Sequence, residues 1–226
     1  MSLDLNQSQQ TKQDFGRVDD GTYSGRVVQI IDIGRQQETA WVKGKAVPQY
    51  YVVDEDGKVV KNDEGYAKKT SEETSFPVIQ PKVYMAFELP TETIEINDEQ
   101  MPRWQSKEYN VTNSGALIKL VKALNPSASK ISDIAGFPCM VTIGSTDSGN
   151  AKVTSVSPLM KGLEVAEVSK GPIVFDMSNP DMEVFNSLPD FLKEKIKASE
   201  GYDESKFQQG QDQAAGFDDF DDDIPY

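Results

Sequence analysis

The sequence predicts a mainly β protein: a five-stranded barrel with a long insertion between strands 1 and 2, an internal helix and a C-terminal helix. Three observations predict this class. Short runs of β-branched and aromatic residues are separated by glycine and proline, which is typical of strands and turns. One helical pattern stands between the third and fourth of these strands. Hydrophobic residues form 37% of the 226 residues, which suffices for one core.

The first strand is expected over residues 21–33, after a disordered, glutamine-rich arm of residues 1–15. This stretch is rich in β-branched residues and is bounded by glycines. Gly25 suits a bulge or a sharp bend within it. A long, strongly bent first strand is what a small closed barrel requires.

The insertion is expected over about residues 34–80, where the pattern is less regular. Trp41-Val42, residues 47–53 and Val59-Val60 favour strands, with a turn at residues 54–58. The acidic residues of this turn superficially suggest a calcium or magnesium site. The sequence lacks the further ligands of a calcium-binding loop, so a tight turn is the better interpretation. An insertion of this size is usually functional or mobile.

The remaining barrel elements follow the insertion in order. The patterns predict strands over residues 82–89, 93–96 and 103–112, a helix over 117–124 with a cap at Asn113-Ser114, and strands over 137–143 and 151–156. Strands, one helix and a final hairpin form the element order of an oligonucleotide-binding (OB) fold. Jelly rolls and immunoglobulin sandwiches do not have a helix at this point, so the sequence predicts an OB-fold barrel.

A helical extension is expected over about residues 171–198. Asn179-Pro180-Asp181 is typical of a helix start, and apolar side chains recur after it at helical spacing. We expect this extension to pack on its own barrel; the alternative is a homodimer contact. The folded domain is therefore predicted to span residues 16–198, and residues 199–226 to form a disordered acidic tail.

The formal net charge of the chain is −14, and it is unevenly distributed. Residues 199–226 carry nine acidic residues and one lysine, a net charge of −8, which leaves −6 for the rest. Phosphate contacts normally supply most of the affinity of a nucleic-acid-binding protein, so this acidity is unfavourable for one. A local basic groove can nevertheless coexist with an acidic remainder.

The composition argues against an enzyme. The chain has no histidine and a single cysteine, Cys139, in an apolar run typical of a buried strand. The usual zinc, haem and serine-triad sites are thereby excluded, and we expect no catalytic residue, cofactor or metal. Neither a signal sequence nor an apolar run of membrane-spanning length is recognisable, so a soluble, cytoplasmic protein is expected.

Two clusters interleave aromatic side chains, on which bases can stack, with cations that attract phosphates. OB folds bind ligands across strands 2 and 3, between the loops that join strands 1 to 2 and 4 to 5. One cluster lies in the first of these connections and the other on the third strand. The candidate DNA-binding residues are Arg35, Trp41, Lys43, Lys45, Tyr50 and Tyr51 in the first cluster, and Arg103, Trp104, Lys107 and Tyr109 in the second.

Strand alternation divides the second cluster. Arg103, Lys107 and Tyr109 share one face of an extended strand, and Trp104 points to the other. Only one of the two aromatic side chains is then expected to reach a ligand, and Trp104 is explained equally well as a core residue. Trp41 ranks higher because it lies in a polar segment beside two lysines.

The last ten residues contain five aspartates and end in Ile224-Pro225-Tyr226. The aspartates repel one another and favour a solvated, extended segment, whereas the apolar tripeptide forms a compact plug beside a carboxylate. This tip resembles the acidic C-terminal tip of bacterial and phage single-stranded DNA-binding proteins, which ends in Asp-Ile-Pro-Phe. Tyr226 stands where that family has phenylalanine, so a partner must accommodate its hydroxyl group.

The resemblance implies a protein that binds and protects single-stranded DNA with little sequence preference during replication, recombination and repair. The insertion and the C-terminal helix suggest a divergent version, encoded by a phage and acting in the host cytoplasm. In the family the tip recruits polymerases, helicases or nucleases. The residues with that role here would be Asp218, Asp219, Phe220, Asp221, Asp222, Asp223, Ile224, Pro225 and Tyr226.

An acidic adaptor or DNA mimic is the alternative interpretation. Such a protein would inhibit or recruit a nucleic-acid enzyme without binding DNA itself. It accounts better for the net charge of −14, but it leaves the two aromatic and basic clusters and the plug-like tip without explanation.

Overall fold

The computed structural model describes residues 17–96, 98–112 and 115–208. The mainly β class is confirmed. The strands are β1 (Gly21–Gln37), β2 (Thr39–Val42), β3 (Lys45–Pro48), β4 (Tyr50–Tyr51), β5 (Lys69–Thr70), β6 (Ile79–Ile96), β7 (Glu99–Asn110), β8 (Pro138–Ser145), β9 (Ala151–Pro158) and β10 (Ile173–Phe175). The α-helices are α1 (Ala116–Leu124), α2 (Met182–Ser187), α3 (Asp190–Lys197) and α4 (Glu204–Gln208). None of the helices in these ranges is long and apolar enough to cross a membrane.

The main element is a six-stranded sheet with the strand order β7-β6-β1-β8-β9, in which β10 pairs with β1 in parallel. The other four pairings are antiparallel. Strands β7 and β9 are its edges, and no ladder joins them within the described residues. They nevertheless approach each other, since Lys107 Nζ of β7 donates a hydrogen bond to the carbonyl of Thr154 in β9 (2.9 Å). The sheet therefore curls until its two edges face each other.

Strand β1 buries side chains on both of its faces because of a bulge. Val27 pairs with Phe87 and Gln29 with Ala86, so Val28 is an extra residue in β1. The extra residue reverses the alternation of side chains beyond it. Val27 packs in one hydrophobic core, whereas Ile31 packs in a second core on the other side of the sheet. One strand thus supports both halves of the fold.

The first core lies between the concave face of the curled sheet and α1. Phe87, Met85 and Leu89 of β6 are fully buried there, together with Leu117 of α1. The bulge of β1 lies at Val28 and not at Gly25, whose pairing with Cys139 of β8 is regular. Gly25 is required for another reason: a Cβ atom at that position would meet the carbonyl oxygen of Glu88 at 2.6 Å, so only glycine leaves room for this close backbone approach.

The second core is formed by the C-terminal extension against the opposite face of β1. Phe175 of β10, Phe185 of α2, Leu192 of α3 and Phe207 of α4 surround the side chains of β1. The extension thus packs on its own sheet, as expected. Two details of the prediction were wrong. β10 was not foreseen, and residues 199–208 are not a disordered tail, because the buried side chain of Phe207 holds α4 in the core.

The insertion consists of two small two-stranded sheets, β2-β3 and β4-β5. Its predicted bounds were slightly too wide, because β1 continues to Gln37 and β6 begins at Ile79. The acidic turn is a tight turn, in which Asp54 Oδ1 accepts hydrogen bonds from the backbone nitrogens of Asp56 (3.0 Å) and Lys58 (2.8 Å). The carboxylate of Asp54 is thereby satisfied within the turn.

Two other boundaries differ from the prediction. Residues 82–89 and 93–96 form one strand, β6, because a register shift between Leu89 and Thr93 carries the strand past Pro90. The predicted cap at Asn113-Ser114 lies outside the described residues. Gly115 occupies the N-cap position of α1 and makes no side-chain cap hydrogen bond.

Replacing Gly34 with alanine is expected to lower the free energy of unfolding by about 2 kcal/mol. Gly34 has φ +72°, and a Cβ atom there would lie 2.6 Å from Met177 Sδ and 2.7 Å from Ser199 Oγ. Gly57 has φ +76° with nothing within 4 Å, so Gly57→Ala tests the backbone strain alone. Denaturant unfolding should show a larger loss for Gly34→Ala. Equal losses would contradict the close packing of the extension on β1.

Candidate nucleic-acid interface

The β2-β3 hairpin presents an aromatic side chain and cations at its tip. Its ladder pairs Val42 with Lys45, which leaves Lys43-Gly44 as a two-residue turn. Both turn residues have positive φ (50° and 77°), as tight hairpins with the right-handed twist require. Trp41 stands next to this turn opposite the small Ala46, and its side chain is 77% exposed. An exposed tryptophan of this kind is free to stack on a ligand.

The loop that joins β8 to β9 faces this hairpin. Its backbone is folded on itself, since Thr146 N donates to the carbonyl of Asn150 (2.8 Å) and Gly149 N donates to the carbonyl of Thr146 (2.8 Å). Arg17 Nη1 also donates to the carbonyl of Gly149 (2.6 Å). The loop therefore has a defined set of internal hydrogen bonds.

The hairpin and the loop enclose an open groove of about 630 Å³. We call it the hairpin groove. Its volume accommodates a nucleotide-sized ligand. One wall is aromatic and basic, and the other is polar with one further lysine. The lining residues are Trp41, Lys43 and Gly44 on the hairpin and Thr146, Asp147, Ser148, Asn150 and Lys152 on the loop and β9.

Lys107 lies close to this groove at the gap between β7 and β9. Its Nζ donates to the carbonyl of Thr154 and lies 5.3 Å from the centroid of the Tyr109 ring. Burial and, to a lesser extent, the positive charge of Lys152 lower the pKa of Lys107. The positive charge of Lys152 disfavours the charged form of Lys107, as a like charge does.

The rest of the first predicted cluster does not converge on the hairpin groove. Lys45 is exposed in β3 beside the turn, but it does not line the groove. Arg35 lies near the C-terminal end of β1 and pairs with Glu200 (Nε to Oε2, 2.6 Å). Tyr50 and Tyr51 are half-buried in β4, where the Tyr51 hydroxyl accepts a hydrogen bond from Gln80 Nε2 (3.3 Å). Trp41 and Lys43 alone of this cluster line the groove.

The second predicted cluster is divided by strand alternation, as expected. Tyr109 lies in the first core, and burial raises its pKa to about 12. Its ring is therefore out of reach of a ligand. Trp104 points to the other face, is 39% exposed and donates from Nε1 to the buried carboxylate of Glu88 (3.0 Å). It is neither a core residue nor a free stacking platform.

Arg103 and Trp104 line a separate pocket of about 410 Å³ near the β6-β7 turn. Arg103 Nε donates to the carbonyl of Thr93 (3.2 Å). The opposite wall includes Ser169, whose backbone nitrogen (3.0 Å) and hydroxyl (2.7 Å) also donate to the Glu88 carboxylate. These two predicted residues therefore belong to a different surface from Trp41.

Sequence reasoning missed Lys152. Lys152 is the second residue of β9, close to the β8-β9 loop. It is exposed, and the next residue, Val153, is buried. Alternation around Val153 predicts an outward side chain, but only the fold brings that side chain opposite the hairpin. The tail residues 218–226 lie outside the described residues.

Nothing in the described ranges forms a group of three or more acidic or thiol side chains able to hold a metal ion. Cys139 is buried in the first core, and burial raises the pKa of its thiol to about 12. A thiol with so high a pKa is unreactive at neutral pH.

Comparison with known proteins gives no match: neither a protein-family model, nor a curated protein, nor a solved structure matches this chain. Function is therefore inferred from the geometry of the described residues and from the composition of the chain.

Proposed function

We propose that this chain binds single-stranded DNA in the hairpin groove with little sequence preference. One observation carries the proposal: the exposed ring of Trp41 shares a groove with Lys43 and Lys152. Stacking on an aromatic side chain accepts any base, and lysines attract any phosphate. This combination favours binding of a single strand without readout of its sequence.

The acidity of the chain does not oppose this proposal at the groove itself. The lining residues include two lysines, Lys43 and Lys152, and one acid, Asp147, and Lys107 lies close by. The net charge of −8 in residues 199–226 belongs to a different part of the chain. Binding energy for a single strand comes partly from stacking, which does not depend on net charge.

The strand order supports an OB-like fold as the frame of this groove. Strands β1, β6, β7, β8 and β9 follow the chain order of the five OB strands, and α1 stands between the third and fourth of them. In that fold the ligand lies between the loops that join strands 1 to 2 and 4 to 5. The hairpin groove lies between the corresponding connections here, the insertion and the β8-β9 loop.

The acidic segment 217–226 would recruit replication and recombination proteins, such as a polymerase, helicase or nuclease. It would also compete with DNA for the groove, because it combines aspartates with aromatic rings as DNA combines phosphates with bases. Binding of DNA would then release the segment for partners by reciprocal coupling. The resemblance of this segment to the tips of single-stranded DNA-binding proteins is its support. The same resemblance supports activity in the cytoplasm, which is the host cytoplasm if the insertion and the C-terminal extension mark a phage-encoded version.

The proposal is tested by binding of a fluorescent oligo-dT to the full chain and to a chain that ends at residue 216. We expect salt-sensitive binding by both, since phosphate contacts release counterions, and tighter binding by the shorter chain. Equal affinity of the two chains would still support binding of DNA in the groove but would contradict competition by the acidic segment.

The acidic adaptor is the outcome to consider if neither chain binds oligo-dT at low salt. A duplex of the same length serves as the control ligand in that experiment. Preference for the duplex would contradict a site built on stacking, since paired bases do not expose their faces.

A further inference from the structure

Two lysines, Lys107 of β7 and Lys152 of β9, lie on the two edge strands that face each other, and neither has an acidic partner within the described residues. Lys107 donates to the carbonyl of Thr154, and Lys152 stands two residues before Thr154 in the same strand. No ion pair within the described residues includes Lys107 or Lys152. Lys69 and Lys195, by contrast, are paired with Glu38 and Glu108. The gap therefore has an excess of positive charge.

The ammonium group of Lys107 contacts a carbonyl of the facing edge strand and an aromatic ring of its own strand. The Thr154 carbonyl accepts one of its hydrogens at 2.9 Å, and the Tyr109 ring lies 5.3 Å away. The Lys107 side chain is only partly exposed, so part of its hydration is lost. An ammonium group that is partly desolvated and close to a like charge gains strongly from an anion placed between the two charges.

We propose that Lys107 and Lys152 form a phosphate subsite, which binds one backbone phosphodiester of the strand whose base stacks on Trp41. Lys152 links the two parts of the site, because it also lines the hairpin groove with Trp41. The subsite rests on the proposed function and specifies where the DNA backbone lies relative to the base stacked on Trp41. Lys107, predicted from the sequence as a DNA-binding residue, then contacts a phosphate of the DNA backbone.

The subsite links DNA binding to protonation. In the free protein, burial and Lys152 lower the pKa of Lys107, and a bound phosphate raises it again. Affinity is therefore highest below the lowered pKa and falls as the pH rises from there toward the ordinary lysine pKa of about 10.4. Among the described residues, Lys152 of β9 acts on the charge of Lys107 and Tyr109 of β7 contacts it, and the Tyr109 phenol stays protonated because its pKa is raised to about 12.

The test is the salt dependence of oligo-dT binding by the full chain and by Lys107→Met, Lys152→Met and the double variant. When the protein no longer contacts one phosphate of a single strand, the plot of the logarithm of the binding constant against the logarithm of the salt concentration becomes less steep by about 0.7. Because the two lysines share one phosphate, the double variant should reduce the slope by about 0.7, not by about 1.4. Lys119→Met, on the exposed face of α1, is the matched control and should keep the full slope.

Each outcome decides between specific alternatives. A double variant with the slope of the control, or with a reduction near 1.4, would overturn the shared subsite. If the unmodified chain did not bind oligo-dT at all, the proposed function would fail first and the subsite with it. Binding with normal slopes in every variant would overturn the subsite alone.

A second measurement avoids any variant at Lys107, whose replacement could disturb the approach of β7 to β9. Oligo-dT affinity of the unmodified chain should fall as the pH rises toward the ordinary lysine pKa of about 10.4, and Lys152→Met should move that fall to higher pH by raising the pKa of Lys107. Identical pH profiles for the two proteins would overturn the subsite.

Discussion

Replacing Trp41 with alanine is expected to weaken binding of oligo-dT by about five- to 150-fold, which corresponds to the roughly 1–3 kcal/mol that one stacked base contributes. The ring is 77% exposed at the hairpin tip, so its removal leaves the protein core intact. The salt dependence should stay unchanged, since Trp41 carries no charge to pair with a phosphate. Titration of a fluorescent oligo-dT at several salt concentrations measures both quantities.

Tyr66→Ala is the matched control for this variant. Tyr66 is an exposed aromatic residue of the same insertion, 68% exposed, and it does not line the hairpin groove. Its replacement should leave the affinity within about twofold of the unmodified chain. If Tyr66→Ala and Trp41→Ala weakened binding equally, the hairpin groove would not be the binding site.

Replacing Phe207 with alanine is expected to lower the free energy of unfolding by about 3 kcal/mol, as is typical for the truncation of a buried phenylalanine. Its ring packs 5.1 Å from Phe185 and 4.7 Å from Tyr202, measured between ring centroids. Such aromatic pairs contribute beyond their buried area. Denaturant unfolding monitored by circular dichroism measures the change.

The exposed Lys206 beside it provides the control, because Lys206→Ala should change the free energy of unfolding by less than about 0.5 kcal/mol. A similar small change for Phe207→Ala would mean that α4 does not contribute to the second core. The acidic tail would then begin near residue 199, as the sequence alone predicts.

The strands and α1 could be predicted because their patterns are local. Residues 21–33 and 82–89 are rich in β-branched and aromatic side chains, and the apolar residues of 117–124 recur at helical spacing. The structure has β1, β6 and α1 over those stretches. The predicted order of these elements along the chain is also that of the structure.

What the sequence could not predict depends on contacts between distant residues. The bulge at Val28 is set by pairing with β6, and it decides which core each side chain of β1 enters. Strand β10 has three residues and exists only because β1 pairs with it. Phe207 lies in a polar stretch, and only the second core explains why it is ordered.

Only those residues of the candidate site that stand out in their local sequence could be predicted. Trp41 and Lys43 stood out because an aromatic residue beside lysines in a polar segment has no place in a core. Tyr109 could not be separated from them, since its burial depends on α1 and β9 packing against β7. Alternation in β9 predicts only that the side chain of Lys152 points outward, and Lys152 joins the site because the β8-β9 loop faces the hairpin.

The most direct test of the groove uses Trp41 as its own reporter. The chain has two tryptophans, so Trp104→Phe leaves Trp41 alone, and Trp41→Phe leaves Trp104. If the hairpin groove binds single-stranded DNA, oligo-dT should quench the emission of Trp41 with the same midpoint as binding measured by anisotropy, and should leave Trp104 almost unchanged. Saturated binding without any change in Trp41 emission would contradict the proposed site.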